Sequence, residues 1–479
     1  MLPPLIRRPR QRAVPRSRER GATMALVALA MVSIIAMAAL SIDIGTLYEA
    51  KAEAQRAADA AALTAARVIS ISGITGDPNN SASSWQPACG GSTSLATVAA
   101  TNMAQQDLIS GGAPSTVTVN YGAGSAGGLN ASCVGIAGFA VNPIVTVSVK
   151  RTNLPVFFAR VFSLFGSSYS GTSVSATATA EVFNPSGSSP MVPVNPRCVK
   201  PWMVPNSDPG NGTKPFVDRT SGTITNPGTL SGNSGVIGET FTLVVDCGAS
   251  GRRRGRCVLG NPPVAVSGAN PTLDYVPGLV SSASIAIAAN SAITACSDVS
   301  NNDYTEAVAG CDQSTVYACG VTLGNTVNLA EDPGPPRNDS VNGAACLTNA
   351  SGNFLNNGQD YLAPAGPPPY TYPFQVLAGA NSALVSAGVA SGSQITASPS
   401  IVSLPIYDST ATMLTTTSAG QIPVTVIGFL QVFINYVDSG SGNINVTVMN
   451  VSGCGNGSVS GPPVAPGTSP VPIRLITSP

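Results

Sequence analysis

Length, composition and charge exclude several classes of protein. The chain has 479 residues, of which 10% are charged and 5% are aromatic, and it contains 50 Gly and 39 Pro. Soluble cytosolic enzymes usually carry about 25% charged residues, whereas the present composition suits turn-rich β structure with uncharged polar surfaces. The chain has no His, so it lacks the commonest general base and metal ligand. We therefore expect a protein that is not an enzyme and binds no cofactor.

The charged residues are unevenly distributed along the chain. Residues 1–20 hold seven Arg and one Glu, which leaves a net charge of −6 on the remainder. A nucleic-acid-binding protein usually shows a basic patch on a folded domain, so we expect no nucleic acid partner. Residues 1–20 are predicted to form a basic cytoplasmic tail.

An apolar segment follows this tail. Residues 21–42 contain no charged side chain, and as a helix they would be about 33 Å long, enough for the hydrocarbon core of a bilayer. Because Arg and Lys are enriched on the cytoplasmic side of a span, the segment is predicted to be a single transmembrane anchor. The chain is then a single-pass membrane protein, with its N-terminus in the cytoplasm and its bulk outside the cytoplasm.

Two other interpretations of the apolar segment involve cleavage. The Ala-Met-Ala sequence at residues 36–38 fits the small-residue site of a secretory signal peptide, but the apolar run continues as far as Ile44. A prepilin-type site at Gly21 would normally require Glu five residues later, where the chain has Leu26. We favour an anchor that is not cleaved.

A helix is predicted directly after the anchor. Residues Tyr48 to Ser72 contain neither Gly nor Pro and are rich in Ala, Glu, Lys, Gln and Arg, which are strong helix formers. One side of this helix, here called the alanine face, is small and apolar. It either covers the chain's own module or packs against sister helices in an assembly. Its residues are Leu47, Ala50, Ala54, Ala58, Ala61, Ala65 and Val68.

Residues 43–184 are predicted to form a small α+β module that begins with this helix. Thr116 to Tyr121, Ile144 to Lys150 and Ser173 to Phe183 alternate in the period of half-buried strands. Leu154 to Gly166 is a candidate for an apolar helix, with Gly as its stop signal.

Residues 185–196 are predicted to be a linker, because Pro stands at both ends and Ser and Gly lie between. Beyond it, residues 197–479 contain short β-type stretches such as Thr240 to Val245 and Pro423 to Tyr436, separated by loops rich in Gly, Asn and Pro. The predicted fold class is α+β. It consists of a transmembrane helix that continues into an amphipathic helix, a small α+β module and a β-rich extracytoplasmic domain.

The ten cysteines indicate disulfide bonds. All follow the apolar segment and none forms a CxxC pair, which is typical of bridges in an oxidising compartment rather than of zinc ligands. We predict a bond between Cys247 and Cys257, which flank the segment GRRRGR and would close a loop of about eleven residues. Longer-range pairing stays open, because ten cysteines allow many connectivities.

Three polar segments are weaker candidates for ligand binding. Asp408 to Thr412 offers a carboxylate and two hydroxyls that suit a hard cation, but we interpret it as a junction between a strand and a turn. The Asn- and Asp-rich segment from Asp298 to Glu306 is interpreted as a turn rather than a calcium site. Gly251 to Arg256 is interpreted as a solvated hairpin tip rather than a patch for an anionic polymer or lipid headgroup. We assign no metal site.

The anchor and the helix after it resemble a known family. The sequence from Arg18 to Val68, above all QRAADAAALTAA at Gln55 to Ala66, is similar to the N-terminal region of TadE/TadG-like Flp (tight-adherence) pilus-assembly proteins. The segments VFFARVFSLFG, SVSATATAE and IVSLPIYDS, with VTVIGFLQVFINY further on, are also similar to the later parts of that family's sequences. Members of the family are envelope proteins with one N-terminal membrane helix, and they offer no catalytic residues.

The resemblance implies a structural component of the Flp/Tad-type pilus-assembly or secretion apparatus. It also implies that the membrane is the bacterial inner (cytoplasmic) membrane, with the bulk of the chain in the periplasm or outside the cell. The implied partners are the lipid bilayer and pilus-assembly or secretion proteins, with self-association through the alanine face as one option. The main alternative is a cell-surface adhesin or envelope-polymer-binding protein that shares only the anchor. A secreted enzyme with an unrecognised pair of carboxylates is a third interpretation.

Overall fold

A computed structural model describes residues 19–477 with internal gaps. In the described part, the chain forms one long N-terminal helix, a four-stranded sheet and a larger β-rich region. The predicted α+β fold class is therefore confirmed. The gaps fall at residues 78–81, 125–127, 156–157, 159–171, 188–193, 213, 230–234, 246–264, 281–284, 286, 288–292, 298, 300–302, 318–324, 329–335, 410–420 and 455–466.

Helices and strands are numbered in chain order. The helices are α1 (Glu19–Ile71), α2 (Gln86–Cys89), α3 (Leu95–Gln106), α4 (Asp303–Ala309), α5 (Pro336–Thr348) and α6 (Ala383–Ser386). The strands are β1 (Thr116–Ala123), β2 (Pro143–Arg151), β3 (Val174–Val182), β4 (Trp202–Pro205), β5 (Thr240–Val245), β6 (Ala265–Val266), β7 (Thr272–Pro277), β8 (Asn325–Asn328), β9 (Tyr361–Leu362), β10 (Val376–Leu377), β11 (Gln394–Ile395), β12 (Ile401–Tyr407), β13 (Gln421–Val424), β14 (Val426–Asp438), β15 (Asn443–Gly453) and β16 (Ile473–Ile476).

The long helix α1 joins the predicted anchor and the predicted amphipathic helix into one continuous element. It has 53 residues, which corresponds to a length of about 80 Å. The helix stops just before Gly73, whose φ of 85° lies in the left-handed region. Gly adopts this conformation at little steric cost because it has no Cβ, and such a residue commonly ends a helix.

The first sheet packs against α1 and α3. Its antiparallel strands lie in the order β1-β2-β3-β16, and β1, β2 and β3 agree with their predicted positions to within two residues at each end. Alternate residues of β2 and β3 are buried against the helices, because side chains of a strand point to opposite faces in turn. On β3 the residues of this core are Ala176, Ala178, Ala180 and Val182, and the small side chains of the three alanines allow α1 to approach the sheet closely.

The C-terminal end of the chain returns to this first sheet. Strand β16 pairs with β3, so that Leu475 lies opposite Ala180, and it covers an edge of β3 that would otherwise be unpaired. At the start of the predicted linker, Pro185–Gly187 form a 3₁₀ turn, and Gly453 N–H donates to Ser186 Oγ at 2.6 Å. The predicted division at residues 185–196 therefore does not assign every strand of the first sheet to the N-terminal module.

The larger sheet closes into a barrel. Its strands run in the order β4-β12-β14-β15-β5-β7-β6, and β4 pairs with both β12 and β7, which joins six strands into a ring. Strand β14 is buried along almost its whole length, because apolar clusters cover both of its faces. A small sheet of β9, β10 and β11 packs beside this barrel.

The connection between β2 and β3 contains the predicted helix at Leu154 to Gly166. Most of that prediction lies outside the described residues, and the described Leu154, Pro155 and Phe158 are not helical. Leu154 N–H donates to Thr172 O at 3.1 Å, and Thr172 Oγ1 donates to Leu154 O at 3.0 Å. These two hydrogen bonds close the base of the connection.

Candidate functional site

The N-terminal part of α1 exposes a continuous apolar surface. Its large apolar side chains, from Met24 to Ile44, have exposed fractions between 42% and 79%. An 18-residue stretch of this part has a mean hydropathy of 2.6, and none of it is buried inside the protein. An apolar surface of this extent is a mark of an interaction site, and its length matches the hydrocarbon core of a bilayer. In the part of the chain that the structure describes, α1 is the one helix long and apolar enough to cross a membrane.

The C-terminal part of α1 buries the alanine face within the chain. Its alanines belong to the core of the first module and lie against α3, β2 and β3, while Leu47 packs at the margin of that core. The structure thus places this face over the chain's own module, the first of the two predicted arrangements. Packing of the same face on a sister helix would require the module to open. The fully buried alanines are Ala54, Ala58, Ala61 and Ala65, and Ala50 is 2% exposed.

Enlarging a residue of the alanine face is expected to destabilise the module itself. Ala61 has no exposed surface, so Ala61→Leu should lower the free energy of unfolding by about 1 to 3 kcal/mol through overpacking. Ala52, on the same helix, is exposed, so Ala52→Leu should change stability by less than about 0.5 kcal/mol. Thermal unfolding of both detergent-solubilised variants measures the difference. Equal stabilities would contradict burial of this face.

The end of α1 is joined to the barrel by a buried polar network. Asn450 of β15 donates from Nδ2 to Ser70 O at 2.7 Å and to Gln431 Oε1 at 2.6 Å. Its Oδ1 accepts from Thr75 Oγ1 at 3.1 Å. Asn184, directly after β3, donates from Nδ2 to Thr75 O and to Val451 O at 3.3 and 3.1 Å. Since buried polar groups need partners, these bonds hold α1, the first sheet and β15 in one arrangement.

The last turns of α1 contribute to both hydrophobic cores. Ile69 is buried in the core of the first module, and Ile71 is buried in the core of the barrel. Arg67 Nε donates to Thr396 O at 3.2 Å, and burial lowers the pKa of Arg67. The helix that carries the exposed apolar surface is therefore fixed to both parts of the folded chain.

Two buried carboxyl groups, Asp208 and Glu239, form a pair that sequence reasoning did not single out. They are 1% and 4% exposed, and their side chains hydrogen-bond to each other. Burial, followed by the neighbouring Asp208, raises the pKa of Glu239 to about 10. The raised pKa of Asp208 is also due mainly to burial. One shared proton satisfies the pair, because two ionised carboxylates are disfavoured at this burial.

Lys200 is a second buried ionisable group that sequence reasoning missed. It is 2% exposed, and its Nζ donates to Gly310 O at 2.6 Å and to Ala307 O at 3.4 Å. These carbonyls lie at the C-terminal end of α4, where a cation is favoured. Burial lowers the pKa of Lys200 to about 7, against the opposing effect of Asp312. The side chain caps α4 and is inaccessible from solvent.

Disulfide bonds connect distant segments of the described chain. They are Cys89–Cys133, Cys198–Cys311 and Cys296–Cys346, and Cys454 is also disulfide-bonded. Three disulfides fit the predicted oxidising compartment. Both cysteines of the predicted Cys247–Cys257 bond lie outside the described residues, so this pairing stays a prediction. Peptide mapping without reduction tests it, and a free thiol at either position would contradict it.

The polar segments considered as ion sites have other roles where the structure describes them. Asp408 follows β12 directly and pairs with Arg219 at 2.9 Å, so its charge is already neutralised. Asp303 and Glu306 lie in the first turn of α4. Within the described ranges, no group of three or more His, Cys, Asp or Glu side chains is placed to hold a metal. Residues 251–256 lie outside those ranges.

A shallow cleft lies between the region around α2 and the segment of Tyr372. Its volume is about 470 Å³. Hydroxyl and amide groups and one aromatic ring line it, without a charged side chain, which suits a neutral polar ligand better than an ion. The lining residues are Ser83, Ser84, Gln86, Pro87, Gly90, Thr93, Ser94 and Tyr372.

The fold and the site define an α+β protein. Its N-terminal helix is apolar and exposed in its first part, and packs in the core of the folded region in its second part. Residues 21–68 match the family model described as Putative Flp pilus-assembly TadE/G-like. This match confirms the resemblance predicted for Arg18 to Val68, and it supports involvement in Flp pilus assembly. No curated protein and no solved structure matches the chain.

Proposed function

We propose that this chain is a membrane-anchored structural component of the Flp/Tad-type pilus-assembly or secretion apparatus. One observation carries the proposal. The family model matches residues 21–68, and this range covers both the exposed apolar part and the buried part of α1. The exposed apolar part supplies the anchor, and the buried alanine face attaches it to the folded region. A protein with this architecture holds other components in a defined position and bears mechanical load, and it catalyses no reaction.

The proposed location is the inner (cytoplasmic) membrane of a bacterium. The seven Arg of residues 1–20 favour a cytoplasmic N-terminus. The disulfides between described cysteines favour a periplasmic or extracellular position for the bulk of the chain. Both lines of support agree on one orientation of a single span.

The proposal includes the absence of enzymatic activity and of a cofactor. The chain has no His, and its buried Lys200 and Glu239 have structural partners. The proposed partners are the lipid bilayer and pilus-assembly or secretion proteins, with no nucleic acid. Self-association through the alanine face is not part of the proposal, because that face is buried within the chain.

The proposed function is tested in the source bacterium with the full-length protein. Deletion of the gene is expected to abolish surface pili and adherence, and the wild-type gene should restore them. Cross-linking of intact cells, followed by mass spectrometry of the purified protein, should recover pilus-assembly components. An unrelated single-pass protein with the same tag is the matched control. Normal piliation after deletion, together with cross-links no different from the control, would contradict the proposal.

The topology and the retained anchor need a separate measurement. In spheroplasts, a C-terminal tag should be accessible to added protease, whereas an N-terminal tag should be protected. Mass spectrometry of the membrane-extracted protein should find peptides from before Ala36. A mature N-terminus at Ala39 would show that the apolar segment is a cleaved signal peptide.

A cell-surface adhesin or envelope-polymer-binding protein is the second candidate function. The uncharged, hydroxyl-rich cleft beside Tyr372 favours it, because such a lining suits neutral carbohydrate. Glycan-array binding by the full-length protein in lipid nanodiscs tests this candidate, with Thr93→Lys as the variant that blocks the cleft. Binding that Thr93→Lys abolishes would favour the adhesin over the assembly component.

A further inference from the structure

The contacts of α1 show which end of the first sheet faces the anchor. Lys51 Nζ donates to the carbonyl of Ser175, near the start of β3. Eight residues closer to the anchor, Asp43 Oδ2 accepts the backbone N–H of Phe158 at 2.9 Å. Eight helical residues span about 12 Å. Phe158, which follows β2 in the chain, therefore lies beyond the end of the sheet, beside α1 and on the side of the anchor.

Asp43 lies at the level where the anchor would leave a bilayer. The helix from Thr23 to Ile42 is about 30 Å long, the thickness of the hydrocarbon core. Asp43 is only 2% exposed, so the carboxylate next to this apolar surface is shielded from solvent. The hydrogen bond from Phe158 N–H stabilises this carboxylate, because burying a charged group close to hydrocarbon is costly without polar partners.

Phe158 presents an aromatic ring at this level. It is 43% exposed, although its backbone is held against α1 by Asp43. Tyr48, about 8 Å farther from the anchor along α1, is 73% exposed. Aromatic side chains are favoured where hydrocarbon meets the headgroups. The chain places Tyr48 on α1 and Phe158 beside it, both near this level.

We propose that Phe158 makes a second contact with the bilayer, at the interface beside the anchor, so that the first module rests on the membrane surface. The inference rests on the proposed membrane anchoring by α1. Two contacts, at the anchor and at Phe158, restrict tilting of the module more than one helix alone does. The partner of this surface is the lipid of the membrane that holds the anchor.

Tryptophan fluorescence of the full-length protein in lipid vesicles tests this contact. The native Trp85 and Trp202 are buried and give a constant background. Phe158→Trp should be quenched by lipids whose acyl chains are brominated near the headgroup. Leu475→Trp is the matched control, because Leu475 is also 43% exposed. Leu475 lies opposite Ala180, about 17 Å farther along β3 than Ser175, so it should stay clear of the lipid.

The expected result is that bromine quenches the added emission of Phe158→Trp at least about twofold more than that of Leu475→Trp. Ile35→Trp, in the exposed part of α1, lies near the middle of the span and reports the anchor separately, with lipids whose acyl chains are brominated near their ends. If Ile35→Trp is quenched but Phe158→Trp is quenched no more than Leu475→Trp, the contact of Phe158 with the bilayer is wrong and the anchoring by α1 stands. An unquenched Ile35→Trp would overturn the anchoring and this inference with it.

A photoreactive side chain provides a second measurement that does not depend on the Trp variant. With p-benzoylphenylalanine at position 158, illumination of native membranes should give a lipid adduct on the peptide that contains this position. The same side chain at position 475 should give none. Adducts to protein alone, or no adduct at all, at position 158 would overturn the proposal.

Discussion

Replacing Glu239 with Gln is expected to stabilise the protein, and by more at alkaline than at acidic pH. The pKa of Glu239 is raised from 4.5 to about 10 by burial and by Asp208, so the folded state keeps a proton that the unfolded chain releases. The stability contributed by this group is fully present below pH 4.5 and is lost as the pH rises toward about 10. Gln removes that loss, so the gain should grow as the pH rises from 4.5 toward about 10, by at most about 1.4 kcal/mol per pH unit.

The measurement is the difference in unfolding free energy between Glu239→Gln and wild type across the pH range. The wild-type curve alone is insufficient, because Lys200 acts in the opposite direction. Its pKa is lowered from 10.5 to about 7, so stability from Lys200 rises with pH in that window. Glu49→Gln is the control, since Glu49 is exposed. A Glu239→Gln difference that is independent of pH would contradict the shared proton.

Replacing Asn450 with Ala is expected to lower stability by about 3 kcal/mol, because it leaves buried polar groups without partners. Asn450 has no exposed surface. Its loss removes the bonds to Ser70 O, Gln431 Oε1 and Thr75 Oγ1. The effect should be strongest where α1 meets β15, so hydrogen exchange should rise in the last turns of α1 as well as in the barrel.

A matched control for Asn450→Ala is Asn353→Ala. Asn353 also donates from its side chain, to Ser439 Oγ at 2.8 Å, but this bond is exposed to solvent. Its loss should change stability by less than about 0.5 kcal/mol. If both variants lost the same stability, or if exchange at the end of α1 were unchanged in Asn450→Ala, the network would not couple the helix to the barrel.

The coupling at Asn450 bears on the proposed function. A structural component of an assembly apparatus must hold its outer part in a defined position relative to the membrane. The helix α1 runs without interruption from the exposed apolar surface to Ile71 in the core of the barrel. A rotation or displacement of the anchor would therefore move the first sheet and the barrel together, rather than being absorbed by a flexible joint.

Local patterns in the sequence were sufficient to predict those helices and strands whose surroundings are the same along their whole length. The apolar part of α1 is recognisable because it is a run of about 20 apolar residues, the length that would span a bilayer. Strands β1, β2, β3 and β5 are recognisable because a strand with one buried face alternates with period two. The helix α3 was missed, since its Ala-, Thr- and Gln-rich sequence from Leu95 to Gln106 carries only a weak apolar periodicity.

The sequence by itself therefore determined the long apolar helix, the helix that continues it and the first three strands. Only the tertiary structure decided what covers the alanine face, which strand completes the first sheet and how the barrel closes. Those features depend on contacts between residues far apart in the chain, such as Arg474 and Glu181, which pair at 2.8 Å across 293 positions. The pairing of Asp208 with Glu239 is of the same kind. The spacing of apolar residues within a segment shows which face of that segment must be buried. Which other segment covers that face is decided only when the chain folds.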